Sequence, residues 1–530
     1  MLSTLYPLSY AISLFGLILW FYFEEIESPL RKLMSTAFIG GFFVYLFSLA
    51  FADGSLEYKL LILTRDMFVL GVVALGFNFL KKFKFLFISA LIVLFGFFRF
   101  DHLKTLKQTF PEPPKQEISE TPSTSISNDE NTPTNSIIRA ELDETGELLV
   151  EVSEGRDVTE LQNIVDKYGL TYERAFFPND VDATDLDDYF VINVPDQYEG
   201  DLEGIEKALL ESGLVDYVEE NEVINISPLE AISPSKKKRS YGINDPGVEE
   251  LWGFEAMNMD QLYTLLKKKG VKPKKKANVF ILDTGIDSKH EDINKNYKSH
   301  KKEYDDDPHG HGTHCAGIAA SVTNNKKGVA SYAPNNDFVN VSAVKVLAAH
   351  GGGTQQGIIS GMLEAADGGA DVISMSLGGP SNKSRRRAYA RAVNYCNRKG
   401  AIVVAAAGNS NKDAANYSPA NSPGIITVAA IDVNLNRAVF SNKVNNVDRG
   451  IAAPGVQIYS TFPNDEYKTF NGTSMACPYV AGLLGIMKSI DPDLDTNKAY
   501  EILNKTGKDT NATKETGKLI QPAKAVGELL

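Results

Sequence analysis

A serine between a Gly-Thr turn and an apolar helix stands in Asn471-Gly472-Thr473-Ser474-Met475-Ala476-Cys477-Pro478, followed by the small-residue stretch Tyr479-Val480-Ala481-Gly482-Leu483-Leu484-Gly485. Its hydroxyl would lie near the unpaired N–H groups of a helix start, which suit the negative charge that develops on oxygen during acyl transfer. Ser474 is therefore a candidate nucleophile, although a serine that only caps a helix has the same signature. Partners decide between the two. Val279-Phe280-Ile281-Leu282-Asp283-Thr284-Gly285 is an apolar run ending in a carboxylate and a glycine turn. It predicts a buried strand with Asp283 at its tip, placed to orient a histidine. His309-Gly310-His311-Gly312-Thr313-His314 supplies imidazoles, and a second apolar run ends in Ala406-Ala407-Gly408-Asn409 with a side-chain amide. Nucleophile, base, orienting carboxylate and oxyanion donor are the roles that acyl transfer requires.

With Asp, His and Ser in that order, the chain resembles the subtilisin-like serine proteases from about Asn244 to the C-terminus. The resemblance makes Asp283 the orienting carboxylate, His311 the general base, Ser474 the nucleophile and Asn409 the oxyanion-hole amide. In the family's His-Gly-Thr-His pattern the first histidine is catalytic and opens a helix, which leaves His314 to packing and His309 to a loop. A rival chemistry shares these residues. His309, His311 and His314 are spaced like the His-x-His-x-Asp-His ligands of a metallohydrolase, but Thr313 stands at the aspartate position and a metal leaves Ser474 and Asn409 without a role. A catalytically silent, membrane-bound binding module is the other alternative, and the intact triad residues speak against it.

The resemblance also marks two substrate-binding edges. Ser376-Leu377-Gly378 follows a predicted strand at 371–375, and Gly351-Gly352-Gly353 follows one at 343–347. Glycines there let an extended polypeptide substrate add as a strand through main-chain hydrogen bonds, although three in a row also suit a plain flexible turn. The specificity pocket is expected around 416–420. No cofactor is required for the chemistry. Asp292 and Asn324 align with ligands of the family's principal calcium site. Calcium takes roughly six to eight oxygen donors, so carbonyls of the 322–329 loop would complete a structural site. That loop carries one residue more than the expected pattern and two lysines, Lys326 and Lys327. Three cysteines give no disulfide framework; Cys315 and Cys477 adjoin catalytic motifs and, with Cys396, read as small buried thiols. Tyr479, where the family often has histidine, implies a change of packing.

These residues need elements to hold them. Alternating apolar strands and helices over 244–530 predict an α/β fold, a subtilisin-like parallel sheet with helices on both faces. Ahead of it, 137–228 reads as strands at 147–152, 171–177, 189–194 and 215–220 with helices at 158–168 and 202–209. This small βαββαβ, α+β unit resembles the family's inhibitory propeptide, most clearly at Val218-Glu219-Glu220-Asn221, and an unrelated α+β adaptor is the alternative. Between the two, 229–243 contains Lys236-Lys237-Lys238-Arg239 and reads as an exposed processing linker.

Upstream, 109–136 is rich in Pro, Ser, Thr and Glu and reads as a solvated tether. Residues 1–108 carry apolar runs at 1–23, 33–52, 67–80 and 85–98, expected to form four transmembrane helices, the last two with basic residues snorkelling at their ends. The first lacks the basic start of a signal peptide. The compact Lys81–Lys84 cluster suits a cytoplasmic hairpin, and this, with the export common in the family, places both termini and the catalytic domain outside. A net charge of −13 disfavours nucleic acid as a partner.

Overall fold

The computed structural model describes residues 13–14, 17–20, 30–50, 63 and 147–530, the last stretch without 196, 199–201, 227–228, 235–236, 238–240 and 382–385. The chain divides into two units, 1–131 and 132–530. In the first, Leu30–Ala50 (α1) is a helix of 21 residues over the second apolar run. Ser13 Oγ donates to Phe38 O at 3.1 Å and Trp20 stacks on Phe38, while Leu33, Ile39 and Phe43 are exposed. Among the described residues no helix is long and apolar enough to cross a membrane. The runs at 67–80 and 85–98, most of 1–23 and the tether lie outside the described residues.

The second unit opens with the strands and helices in the expected βαββαβ order: Leu148–Val152 (β1), Gln162–Tyr168 (α2), Thr171–Arg174 (β2), Tyr189–Asn193 (β3), Leu202–Glu211 (α3) and Val215–Glu220 (β4). The sheet is antiparallel in the order β2-β3-β1-β4. Because successive side chains point to opposite faces, Leu148, Val150 and Val152 pack on α2, the turn before it and α3 through Leu161, Val165, Ile205 and Leu209. Leu149, Tyr189 and Val191 face the other way and belong to the large core of the following domain. All five residues of β1 are buried, as expected of a sheet covered on both faces.

Beyond β4 come Val223–Asn225 (β5) and Leu229–Glu230 (β6), then the elements of the main domain: Met259–Lys269 (α4), Ala277–Asp283 (β7), His311–Ala320 (α5), Val339–Lys345 (β8), Gly352–Thr354 (β9), Gln355–Asp367 (α6), Val372–Met375 (β10), Arg387–Arg398 (α7), Ile402–Ala406 (β11), Ile426–Ile431 (β12), Gly450–Pro454 (β13), Glu466–Asn471 (β14) and Thr473–Ile490 (α8). Six strands form one sheet in the order β13-β12-β11-β10-β7-β8, and every pairing in it is parallel. Their near-continuous burial explains why they read as unbroken apolar runs. α5 and α8 pack together against one side of the sheet, and α6 and α7 pack together against the other. α8 is buried along its full length. A Cβ at Gly482 would come within 2.5 Å of Ala319 O, so the close approach of α8 to α5 requires glycine there. The strand expected at 343–347 runs over 339–345, because its pairing with β7 starts at Ala277 opposite Val339 and ends at Asp283 opposite Lys345.

Candidate active site

β7 and α5 deliver the first pair. Asp283, fully buried at the end of β7, faces His311 at the start of α5, with Nδ1 2.8 and 2.9 Å from the two carboxylate oxygens. Thr284 N also donates to Asp283 Oδ1 at 2.8 Å. Burial works against a charged imidazole, but Asp283 outweighs it and holds His311 well above its ordinary pKa. The helix start that carries His311 is held by Asp307, which the motif reading missed. Its Oδ1 accepts from Gly310 N and Thr284 Oγ1, and its Oδ2 from Thr313 N and Thr313 Oγ1, each at 2.8 Å. An aspartate four residues before a Gly-His helix start was the available signal.

Ser474 lies in the first turn of α8 and is nine-tenths buried. Its Oγ donates to Ser376 O at 3.0 Å, and Ser376 Oγ donates back to Ser474 O at 2.8 Å. The second bond follows from Pro478: a proline four residues on offers no N–H to Ser474 O, so Ser376 Oγ and Cys315 Sγ (3.6 Å) take that place. Ser474 and His311 line the same cleft of about 290 Å³.

Asn409 sits at the end of β11, where its Oδ1 accepts from Thr473 N (2.9 Å) and Thr473 Oγ1 (2.8 Å). With the oxygen engaged, the amide nitrogen is turned toward Gly472 and the cleft. Gly408, at φ +96°, makes the preceding turn, and Asn442 braces the loop by donating to Ala407 O and accepting from Ser410 N and Lys412 N.

The remaining histidines do not converge with His311. His314 is fully buried, with Nε2 3.0 Å from Lys468 O and its ring on Phe470, and burial holds its pKa down at about 3. His309 is half-buried on the cleft rim, held below its ordinary pKa by burial and by His311. The three imidazoles are therefore no metal cluster. Among the described residues the convergent ligand group is Asp283, His311 and Cys315, whose ligand atoms lie within 4.8 Å of one another. All three cysteines are buried free thiols, and Tyr479 is a buried packing residue.

The 376–378 edge lines the cleft, and the 351–353 edge is paired with β5. β5 runs antiparallel to β9, with Ile224 opposite Gly353 and Asn225 opposite Gly352, and Ile226 N donates to Gly351 O at 2.9 Å. Asn225 and Ile226 share the cleft with Ser376, Leu377, Gly378 and Tyr417. The chain resumes at β6, paired to β14 with Leu229 opposite Asn471.

Asn324 is not placed as the motif suggested. Its side chain accepts from Asn244 N and donates to Pro334 O, so both ends are spent away from Asp292. Asn325 instead puts its amide 2.7 Å from Asp292 Oδ1, and Val329 N donates to Oδ2. Asp292 is fully buried, and burial pushes its carboxyl up to about 8, with Asp245 and Glu291 adding to the rise. Asp245, also buried, accepts from Asn324 N and Asn325 N, so the loop is strung between two carboxylates. Both Asp292 oxygens are thus taken by N–H donors, and among the described residues no convergent ligand group includes Asp292.

The profile of the subtilase family of serine peptidases (peptidase S8) matches residues 274–519. Thermitase of Thermoactinomyces vulgaris is 42% identical over 255 residues, 47% of this chain and 86% of that protein. The chain belongs to the subtilase family. Two further relatives of this subtilase are subtilisin DY of Bacillus licheniformis, 41% identical over 43% of this chain and 82% of its own, and a thermophilic serine proteinase of Bacillus sp. (strain AK1), 36% identical over 55% and 67%. The subtilase is thus a serine endopeptidase with the α/β fold of its family, acting on polypeptides without a catalytic cofactor. The matched segment leaves the first 273 residues to be explained on their own.

Proposed function

We propose that this subtilase is a membrane-anchored endopeptidase made as an autoinhibited zymogen, with Asp283, His311 and Ser474 as its triad and Asn409 as oxyanion donor. The observation that carries the triad is the buried Asp283–His311 pair facing the cleft that holds Ser474. His311 Nε2 takes the proton as Ser474 Oγ attacks the scissile carbonyl, then gives it to the departing amine; water repeats the cycle on the acyl-enzyme. Asp283 keeps the Nδ1 proton in place and stabilises the imidazolium. Asn409 Nδ2 and the Ser474 N–H, which helix geometry leaves without an intrahelical partner, receive the oxyanion. Replacing Asn409 by leucine is expected to lower kcat by roughly 10²–10³ with KM little changed, a magnitude known from subtilisin itself. Steady-state kinetics on a peptide amide checks it, and an unchanged kcat removes Asn409 from the role.

Autoinhibition by 137–228 is supported by the two-sided burial of β1 and by the ends of α6 and α7. Asn221 Oδ1 and Glu222 O accept the free N–H groups of Gln356 and Gln355 at the start of α6. Buried Glu151 pairs with Arg387 and Arg391 of α7. β5 is added to the 351–353 edge as a substrate strand would be, followed by Ile226 in the cleft, and β6 pairs with β14 beside Asn471. Segment 229–243 is then the linker where processing frees the protease domain.

Membrane anchoring by 1–108 through four helices rests on the apolar runs and on the exposed Leu33, Ile39 and Phe43 of α1. An extracytoplasmic protease domain is the reading that the charge of the Lys81–Lys84 cluster supports. In cells with a permeabilised outer barrier and a sealed inner membrane, 244–530 should be open to added protease; protection there assigns the domain to the cytoplasm.

A structural calcium ion at Asp292 would need the Asn325 amide to turn its oxygen toward the ion in place of the NH₂ it now gives Asp292 Oδ1, with carbonyls of 322–329 completing the shell. Chelation should lower Tm by about 5 °C, restored by calcium, and Asn325→Ala should abolish the difference. Identical melting with and without chelator discards the site.

A further inference from the structure

We propose that Lys267–Lys276 is a docking ledge for an anionic lipid surface, which holds the protease domain with its cleft turned away from the bilayer. The segment Lys267-Lys268-Lys269-Gly270-Val271-Lys272-Pro273-Lys274-Lys275-Lys276 has seven lysines and no acidic residue, in a chain of net charge −13. Lys267, Lys268, Lys269, Lys272 and Lys274 are exposed. Among the described residues, only Lys275 of the seven forms an ion pair, with Asp371 at 2.5 Å. Lysines in the last turn of α4 offset its helix dipole. That leaves the others unexplained: Gly270, at φ +57°, ends the helix, and the positive charge continues through Lys272 and Lys274.

The place of the ledge gives it an orientation. The N–H groups of Lys274 and Lys275 donate to Ser489 O, at the C-terminal end of α8. Ser474 is at the other end of that helix, 15 residues and so roughly 22 Å away along its axis. A surface bound at the ledge therefore lies behind the active site. The chemistry favours lipid headgroups over nucleic acid. Lysines are point charges that suit a diffuse anionic plane, whereas the ledge has no arginine for bidentate phosphate contacts and no aromatic ring for base stacking.

The proposal takes its setting from the membrane reading above, and the test separates the two. Full-length protein is mixed with vesicles of phosphatidylcholine alone or rich in phosphatidylglycerol, and lysine acylation by a water-soluble ester is followed by mass spectrometry. In the anionic vesicles at low salt, acylation of Lys267, Lys268, Lys269, Lys272 and Lys274 should slow by on the order of tenfold and recover at high salt, while Lys505 is unaffected. Lys268→Glu/Lys272→Glu/Lys274→Glu should return Lys267 and Lys269 to the unprotected rate and leave hydrolysis of a soluble peptide unchanged. Equal acylation in both vesicle types overturns the proposal, as does protection by double-stranded DNA that vesicles do not give. Failure to float with phosphatidylcholine vesicles counts against the N-terminal anchor instead, and leaves the lysine readout intact.

Discussion

Replacing Ser474 by alanine is expected to reduce kcat for peptide hydrolysis by roughly 10⁶-fold and to abolish labelling by a fluorophosphonate. The magnitude is that of the same replacement in subtilisin. Its physical basis here is that no other hydroxyl takes over: Ser376 Oγ is committed to Ser474 O, and Thr473 Oγ1 to Asn409. What survives is the contribution of binding and the oxyanion donors. The same variant should accumulate as uncut chain when expressed alone in a protease-deficient host, because β5 and β6 would still be paired with β9 and β14 with nothing to cut the linker. Normal maturation of Ser474→Ala contradicts self-processing. Retained hydrolysis that a chelator removes would transfer the chemistry to a metal on Asp283, His311 and Cys315. A wild-type chain that never labels, even after the 137–228 segment is removed, is a binding module.

Asp283→Asn should cost roughly 10⁴-fold in kcat while leaving the fold intact. Asp283 Oδ1 accepts from both Thr284 N and His311 Nδ1. An asparagine would keep its oxygen on Thr284 N and turn its NH₂ toward Nδ1, which fixes the imidazole proton on Nε2, the atom that must receive the seryl proton. The pH dependence should change with it. A base is active only when neutral, so with His311 held well above its ordinary value, kcat/KM is lost as pH falls through that raised pKa and its midpoint lies above the ordinary histidine range. Removing the Asp283 charge should move this acid limb to lower pH. Rate profiles of wild type and variant test the point: coincident limbs would mean that Asp283 does not set the histidine's charge.

Asp307 shows where reading along the chain stops. It accepts from five donors, His309 N, Gly310 N, Thr313 N, Thr313 Oγ1 and Thr284 Oγ1, yet in sequence it is one of three consecutive aspartates, 305–307, set apart only by its distance from the helix start. Asn324 and Asn325 make the same point, since adjacent identical side chains are distinguished only by which way the loop turns each of them. Likewise, β1 alternates in space between two cores, but its own residues, Leu148-Leu149-Val150-Glu151-Val152, do not show which partner covers the second face.

The sequence by itself determined the parallel sheet and the order of the motifs, and with the family's pattern picked out Asp283, His311, Asn409 and Ser474 as candidates, because each rests on local signals: an apolar run, a glycine turn, a helix start. The tertiary structure decided whatever depends on contact between distant segments. It put Asp283 against His311, 28 residues apart, and seated β5 on β9 more than a hundred residues downstream. It supplied Ser376 to the carbonyl that Pro478 leaves free, and set the lysine-rich stretch 267–276 against the far end of the helix that carries Ser474. Such contacts arise only when packing brings side chains of different elements together, and no periodicity within one element encodes its partner.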